Sequence, residues 1–224
     1  MLQKKYRIYH VSYSPDLQFD WDSPKWQQAE TAELLHFRPE GSGHSPKTSV
    51  RLLYDSTGIY GLFRVQDQFV LCRHVGLQTP VYKDSCVEFF VSPRPDRGYF
   101  NFEFSCGGGL LCCYITDPTR TEEGFREFTV LPDDDCRQII ISPSMPGIVF
   151  PEIVGPTEWF LGFFIPFSLL EKYAGQIGDL HGQTWRANFY KCADGSSHPH
   201  WASWTELPEK NFHLPEHFGE IVFE

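Results

Sequence analysis

Methionine and alanine are scarce in this chain: its 224 residues hold two of the first and six of the second. Helical bundles draw heavily on such side chains, so their scarcity turns the reading toward strands. Long apolar runs are also missing. The most apolar uncharged stretch, Trp159–Leu170, is 12 residues long and contains a proline, whereas a helical membrane span needs about 20. Residues 1–15, MLQKKYRIYHVSYSP, begin with positive charge but place tyrosines and histidine where a secretory signal needs an apolar run. Basic charge is in deficit, with 19 Lys and Arg against 29 Asp and Glu and a net charge of −10. No cluster of Lys or Arg breaks that balance, which argues against nucleic acid or an anionic membrane surface as partner. Neither a C-x-x-C knuckle nor a G-x-S-x-G elbow is present, and Gly107–Gly109 lacks the Lys-Ser/Thr that completes a phosphate loop.

Aromatic residues are abundant, with 20 Phe, 10 Tyr and 6 Trp making 16% of the chain. Including glycine, the apolar share is roughly 45%, the usual value for a globular protein, so intrinsic disorder is excluded. Seven cysteines cannot all pair, and Cys86 and Cys106 fall inside strand-like runs. Free buried thiols and a reducing cytoplasm are therefore expected, with a leaderless fragment of an exported protein as the alternative.

The pattern along the chain is one of short strands punctuated by turns, without internal repeats or a dividing linker. Residues 1–224 are read as one domain. Ser49–Tyr54 and Ile59–Val65 flank an Asp55–Gly58 turn, and Tyr99–Cys106 and Leu110–Ile115 flank the three glycines. Further strands are expected at Ser85–Val91, Arg137–Ser142, Trp159–Ile165, Trp185–Cys192 and Glu220–Phe223. One short helix is predicted at Ser168–Tyr173, with Ser168 as its cap and Glu171 three residues on. Many strands without alternating helices predict an all-β, immunoglobulin- or jelly-roll-like antiparallel sandwich.

Alternation within the strands sorts their side chains by face. Phe100, Phe102 and Phe104 oppose Asn101, Glu103 and Ser105. Trp185, Ala187 and Phe189 oppose Arg186, Asn188 and Tyr190, while Val87 and Phe89 oppose Glu88. If these strands and Ile59–Val65 are neighbours, one sheet face carries Arg64, Glu88, Asn101, Glu103, Arg186, Asn188 and Tyr190. Planar donors and acceptors of both signs suit a ligand with many hydroxyl groups. The plainer alternative is that Glu88 and Glu103 simply pair with Arg64 and Arg186 in a structural network. Nearby loops supply Tyr82, just before the strand carrying Glu88, and Phe212 in the proline-flanked segment 207–217. Aromatic rings over a polar floor are how proteins grip sugars.

Pro80–Val91, PVYKDSCVEFFV, resembles the signature of the family 9 carbohydrate-binding modules, in which an aromatic precedes an acidic turn and a Val-Glu-Ile/Phe-Phe strand. Ser49–Asp67, Trp185–Trp204 and Phe212–Phe223 fit the same pattern in the same order. The resemblance implies a β-sandwich that binds a mono- or oligosaccharide without cleaving it, in the service of polysaccharide or oligosaccharide catabolism. It places Tyr82 and Phe212 as the two rings that clamp a terminal sugar and Glu88 as the sheet glutamate that bonds hydroxyls. Glu103, Asn188 and Tyr190 stand at other polar ligand positions, with Arg64 and Arg186 in support. The clamp positions are usually tryptophan in the family, and Glu103 stands where the family has a basic ligand. No cofactor is implied for binding. Relatives carry structural calcium, for which Asp16, Asp20, Asp22 and Asp67 are the oxygen donors available here.

Other groupings are weaker. Cys192, His198 and His200 have metal-ligand chemistry but not the spacing of a structural zinc site. Asp133–Asp135 reads as a solvated turn. The rival to sugar binding is glycoside hydrolysis by Glu88 and Glu103, since glycosidases use two carboxyl groups. If Arg64 and Arg186 lie among those carboxylates, they lower both pKa values and remove the proton donor. A third reading is a protein-interaction sandwich with the aromatic loops as its hot spot.

Overall fold

A computed structural model describes residues 4–15, 17–122 and 124–224. The chain forms β1 (Lys5–His10), β2 (Ala32–Glu33), β3 (His36–Phe37), β4 (Lys47–Tyr54), β5 (Gly58–Cys72), β6 (Cys86–Arg94) and β7 (Gly98–Ser105). It continues through β8 (Leu110–Thr121), β9 (Gly124–Val130), the single turn α1 (Asp133–Cys136), β10 (Ile140–Pro143), β11 (Val149–Pro166) and the helix α2 (Phe167–Ala174). The last strands are β12 (Thr184–Cys192), β13 (Trp201–Ser203) and β14 (Gly219–Phe223).

These strands form two layers. One runs β10-β11-β5-β4 and the other β14-β12-β6-β7-β8-β9, with β1 between β4 and β14. Pairing is antiparallel throughout except at β1, which runs parallel to both of its neighbours. Lys5–Ile8 pair with β14 and Tyr9–His10 with β4, so one strand crosses from layer to layer. The expected antiparallel sandwich is present with this single parallel link.

Phenylalanines from both layers fill the space between them. Phe63 and Phe163 of the first layer meet Phe89, Phe104 and Phe189 of the second, with ring centroids 5.2–6.3 Å apart. All five side chains are fully buried, and burial of each such ring is worth about 2–3 kcal/mol relative to exposure. The inward residues are those the alternation predicts: Phe100, Phe102, Phe104, Trp185, Ala187, Phe189, Val87 and Phe89 all belong to this core.

The turns follow from their chemistry. Asp55 Oδ1 accepts from the backbone N–H of Thr57 and Gly58 at 2.7 and 3.1 Å, closing the β4–β5 hairpin. Between β7 and β8, a Cβ on Gly107 would stand 1.9 Å from the carbonyl oxygen of Gly147, so only glycine fits there.

Three local expectations are corrected. The helix begins at Phe167 directly after Pro166, with no side-chain cap; Ser168 lies within it, and Glu171 accepts from the N–H of Ile177. Asp133–Asp135 is a helical turn whose third aspartate is buried, because Lys172 Nζ and the Tyr173 hydroxyl of α2 both donate to Asp135 at 2.5–2.7 Å. This turn displaces the start of the following strand from residue 137 to Ile140. No helix among the described residues is long and apolar enough to cross a membrane.

Candidate functional site

The outer face of the second layer carries the polar side chains. Because β12, β6 and β7 are adjacent, Glu88 lies directly across from Glu103 on one side and Tyr190 on the other. Two loops and a ribbon rise around this face: the turn Val81–Lys83 before β6, the segment 204–218 before β14, and the β8–β9 ribbon. They enclose a cavity of about 420 Å³. Tyr82, Glu88, Glu103 and Phe212, four of the residues expected at a sugar site, line it together. Asn101, Arg120, Asp194, Trp201, Lys210 and His213 complete its polar and aromatic wall.

The floor is a pair of carboxyl groups without an ion-pair partner among the described residues. Glu88 Oε1 accepts from the Cys192 thiol at 3.1 Å, with the Cys86 thiol at 3.9 Å. Glu103 Oε1 accepts from Asn101 Nδ2 at 2.8 Å, and Asn101 is itself fixed because its Oδ1 accepts from the N–H of Cys113 at 2.7 Å. Burial disfavours charge on both acids. It pushes Glu88 well above the usual carboxylate range, reinforced by Cys192 and Glu103. Burial also pushes Glu103 up to about 7, with Asn101 and Arg120 pulling the other way. At neutral pH the floor therefore presents at least one neutral carboxylic acid, which can both donate and accept.

The aromatic wall is built from behind. Phe212 stacks on Tyr190 with centroids 4.1 Å apart and planes 11° from parallel. The Tyr190 hydroxyl donates to the Phe212 carbonyl at 2.8 Å and accepts from Asn188 Nδ2 at 3.0 Å. Asn188 also donates to Thr205 Oγ1 at 2.7 Å and accepts from the N–H of Thr205 at 3.1 Å. Asn188 and Tyr190 are thus saturated within the protein, and neither lines the cavity. Expected as ligand contacts, they instead form a prop that holds the Phe212 loop, because the loop folds down over the end of β12 and covers them.

The two supporting arginines lie elsewhere. Arg64 is on β5, in the opposite layer, where its Nε donates to Glu158 Oε1 at 2.8 Å. Arg186 lies on β12, but its guanidinium donates to the carbonyls of Phe218 and Glu216 and lines a separate cavity of about 710 Å³. The expectation that these arginines hold Glu88 and Glu103 ionised is overturned. With no guanidinium beside Glu88, burial governs the pair.

Residues that strand alternation did not single out complete the wall. Asp194 Oδ1 accepts from the Trp201 indole at 2.7 Å, and Lys210 Nζ sits 3.0 Å from the centre of the Trp201 ring. Arg120 lies over Phe125 at 4.1 Å. Asp194 and Trp201 fall within the Trp185–Trp204 stretch that carries the resemblance, which is the one signal that points to them.

Neither metal grouping weighed from the sequence is assembled. Cys192 points to Glu88, whereas the next residue back, Lys191, projects into the interior and donates to His200 Nε2 at 2.8 Å. His198 stacks on Phe69 at 3.6 Å. Of the calcium donors, Asp16 lies outside the described residues, and Asp20 and Asp22 are exposed. Asp67 is buried with Lys191 Nζ at 3.8 Å and His44 Nε2 at 2.6 Å. Burial would raise its pKa, but Lys191 and His44 outweigh burial and hold it below the usual carboxylate value. Asp67 is thus already partnered by Lys191 and His44, and the described residues do not bring the expected calcium donors together.

The description of carbohydrate-binding family 9 matches residues 22–223 of this chain. The chain belongs to carbohydrate-binding family 9. A candidate carbohydrate-binding protein from Bacteroides uniformis is 28% identical with a TM-score of 0.84, the match covering 99% of this chain and 100% of that one. Two structures of a family 9 module from Caldicellulosiruptor kristjanssonii share the fold at 14% and 13% identity, with TM-scores of 0.65 and 0.61. Those matches cover 99% of this chain and 96% and 94% of theirs; one is a complex with glucose and the other with cellotriose. No curated protein matches the chain. The family carries carbohydrate binding, and the sandwich that displays this cavity is the family's fold.

Proposed function

We propose that the cavity holds one terminal sugar ring of a mono- or oligosaccharide and does not cleave it. The observation that carries this is the convergence of Tyr82, Phe212, Glu88 and Glu103 on one cavity of about 420 Å³, large enough for a single pyranose with its water. Apolar C–H faces of the ring pack on the aromatics, while Glu88, Glu103, Asn101 and Asp194 exchange hydrogen bonds with hydroxyls. Glucose and cellotriose in two structural neighbours make neutral glucose-type sugars the first to test. The proposal calls for no cofactor and no calcium. It includes a role in polysaccharide catabolism and a cytoplasmic location, the latter supported by seven buried, unpaired cysteines.

The test is a nuclear magnetic resonance titration with a panel of mono- and disaccharides. Saturable shifts confined to residues around Tyr82, Glu88 and Phe212 support the reading. A folded protein that responds to none of the panel, or whose shifts map to the Arg186 cavity, overturns it.

One observation favours a second reading. Two buried carboxyl groups without an ion-pair partner among the described residues include a protonated acid near neutral pH, the state that glycoside hydrolysis requires. Incubation with the best-binding oligosaccharide followed by mass spectrometry separates the two. Binding predicts an intact ligand. Cleavage lost in both Glu88→Gln and Glu103→Gln assigns an enzyme.

A further inference from the structure

Beneath the proposed sugar site, two thiols that sugar binding does not use stand beside Glu88. Cys86 and Cys192 are direct cross-strand partners on β6 and β12, and Glu88, two residues from Cys86, projects from the same face. Their three ligand atoms lie within 4.8 Å of one another, and all three side chains are buried. Glu88 Oε1 stands 3.1 Å from Cys192 Sγ and 3.9 Å from Cys86 Sγ. In a tetrahedral zinc site, bond lengths of about 2.3 Å to sulfur and about 2.0 Å to oxygen set neighbouring ligand atoms about 3.5 Å apart. The observed spacings bracket that value. Glu88 and Cys192 also line the cavity, so an ion has a route in and a fourth, open position facing the cavity.

We propose that Cys86, Cys192 and Glu88 form a binding site for a thiophilic divalent cation of the zinc class, capped from the cavity side by water or a ligand hydroxyl. Two thiolates select zinc or cadmium over calcium and magnesium, which take oxygen donors. Binding exchanges protons for metal. The ion displaces the thiol protons of Cys86 and Cys192 and the carboxyl proton of Glu88, so three protons leave for one divalent cation. The cluster changes from neutral to a net charge of −1, and affinity therefore rises with pH. The site does not depend on sugar binding, but the two share Glu88. A bound cation withdraws that carboxyl from the sugar and changes sugar affinity.

Cadmium titration of the reduced full chain, freed of metal by a chelator, tests this. One equivalent should produce the thiolate-to-cadmium charge-transfer band, zinc should bleach it by competition, and a pH indicator should record proton release. The band should be lost in Cys86→Ser and in Cys192→Ser and retained in Cys136→Ser, whose sulfur lies beside Gln78. Circular dichroism identifies the folded variants, and Glu88→Gln, which keeps both thiols, should weaken binding without abolishing it. Absence of the band in the folded wild-type chain overturns the proposal. So does a band that survives loss of both cysteines. Sugar titration of the same metal-free sample is read separately, so failure of the metal site leaves the sugar reading standing, and the reverse.

Discussion

At Glu103, burial and hydrogen bonding act in opposite directions. Burial favours the neutral acid, while Asn101 and Arg120 favour the anion, and the balance leaves the group near pH 7. The unfolded chain ionises this residue near 4.3, so between about 4.3 and 7 the folded state holds a proton that the unfolded state has lost. Stability contributed here is present at low pH and falls as pH rises, by up to about 1.4 kcal/mol per pH unit within that window. His213 and His200 act in the opposite sense. Burial holds both at about 3, so the unfolded chain binds their protons first and stability falls as pH drops below about 6.5. The two effects overlap between pH 4.5 and 6.5, roughly, and the net slope of the wild type does not separate them. The difference between wild type and Glu103→Gln does. Thermal melts should show the variant gaining relative stability as pH rises from 5 to about 7 and no further relative change above 8. A constant offset across that range would place Glu103 outside the buried floor.

Glu88 differs because its neutral form is favoured more strongly. A neutral carboxyl forms ordinary hydrogen bonds, each worth about 1 kcal/mol net, and glutamine keeps an acceptor for Cys192. Glu88→Gln should therefore weaken sugar binding by roughly fivefold while leaving the melting temperature nearly unchanged. Calorimetric titration checks the first and a thermal melt the second. A collapsed melt with undiminished affinity would make Glu88 a purely structural residue.

Among the elements, β12 has two tasks, one on each face. Its inward side chains, Trp185, Ala187 and Phe189, belong to the core; its outward pair, Asn188 and Tyr190, supports the Phe212 loop. Tyr190→Phe keeps the stacked ring and removes only the hydroxyl that holds the Phe212 carbonyl. The loss should cost about 1 kcal/mol of stability and weaken sugar binding several-fold through a loosened Phe212, with no new contact made or lost at the floor. Hydrogen exchange at residues 211–213 is the discriminating measurement. Protection there should fall in Tyr190→Phe, and unchanged protection would refute the prop.

The same strand shows what sequence can and cannot reveal. A period of two exposes the face of a side chain, which is why Glu88, Glu103 and their inward neighbours were legible. Arg64 alternates just as clearly, yet β5 belongs to the other layer. Nothing within one strand's pattern says which strands become neighbours. Asn188 and Tyr190 do point outward, but whether an outward side chain meets ligand or lies beneath a loop depends on where segment 204–218 settles. Asp194, Trp201 and Lys210 lie outside the strand alternation that ordered the others, and only the tertiary path of their loops brings them to the cavity wall. The two rings at 82 and 212 were legible because they flank strands whose order follows from the family resemblance.

For the whole molecule, the decisive contact is one that joins the two layers by charge. Asp67 projects inward from β5 and Lys191 inward from β12, both fully buried, at the edge of a core otherwise filled by aromatic rings. Lys191 Nζ also donates to His200 and to the Cys192 carbonyl, and His44 bonds the other oxygen of Asp67. An isolated buried carboxylate costs several kcal/mol, and here Lys191, His44 and the Phe69 N–H together offset that cost. Lys191→Met should therefore destabilise the fold by about 3 kcal/mol, because it leaves the Asp67 carboxylate with His44 and the backbone N–H groups of Gln68 and Phe69 but no ammonium. Lys191→Met combined with Asp67→Asn should recover much of the loss, since neither side chain is then charged. Added calcium should leave the melting temperature of the chelator-treated wild type unchanged, as Asp67 already has its cation. In Lys191→Met the same addition probes whether a vacated ammonium position can be filled by a metal. A wild-type melting temperature that rises with calcium would show that Asp67 is not neutralised by Lys191 and would refute the pairing between the layers.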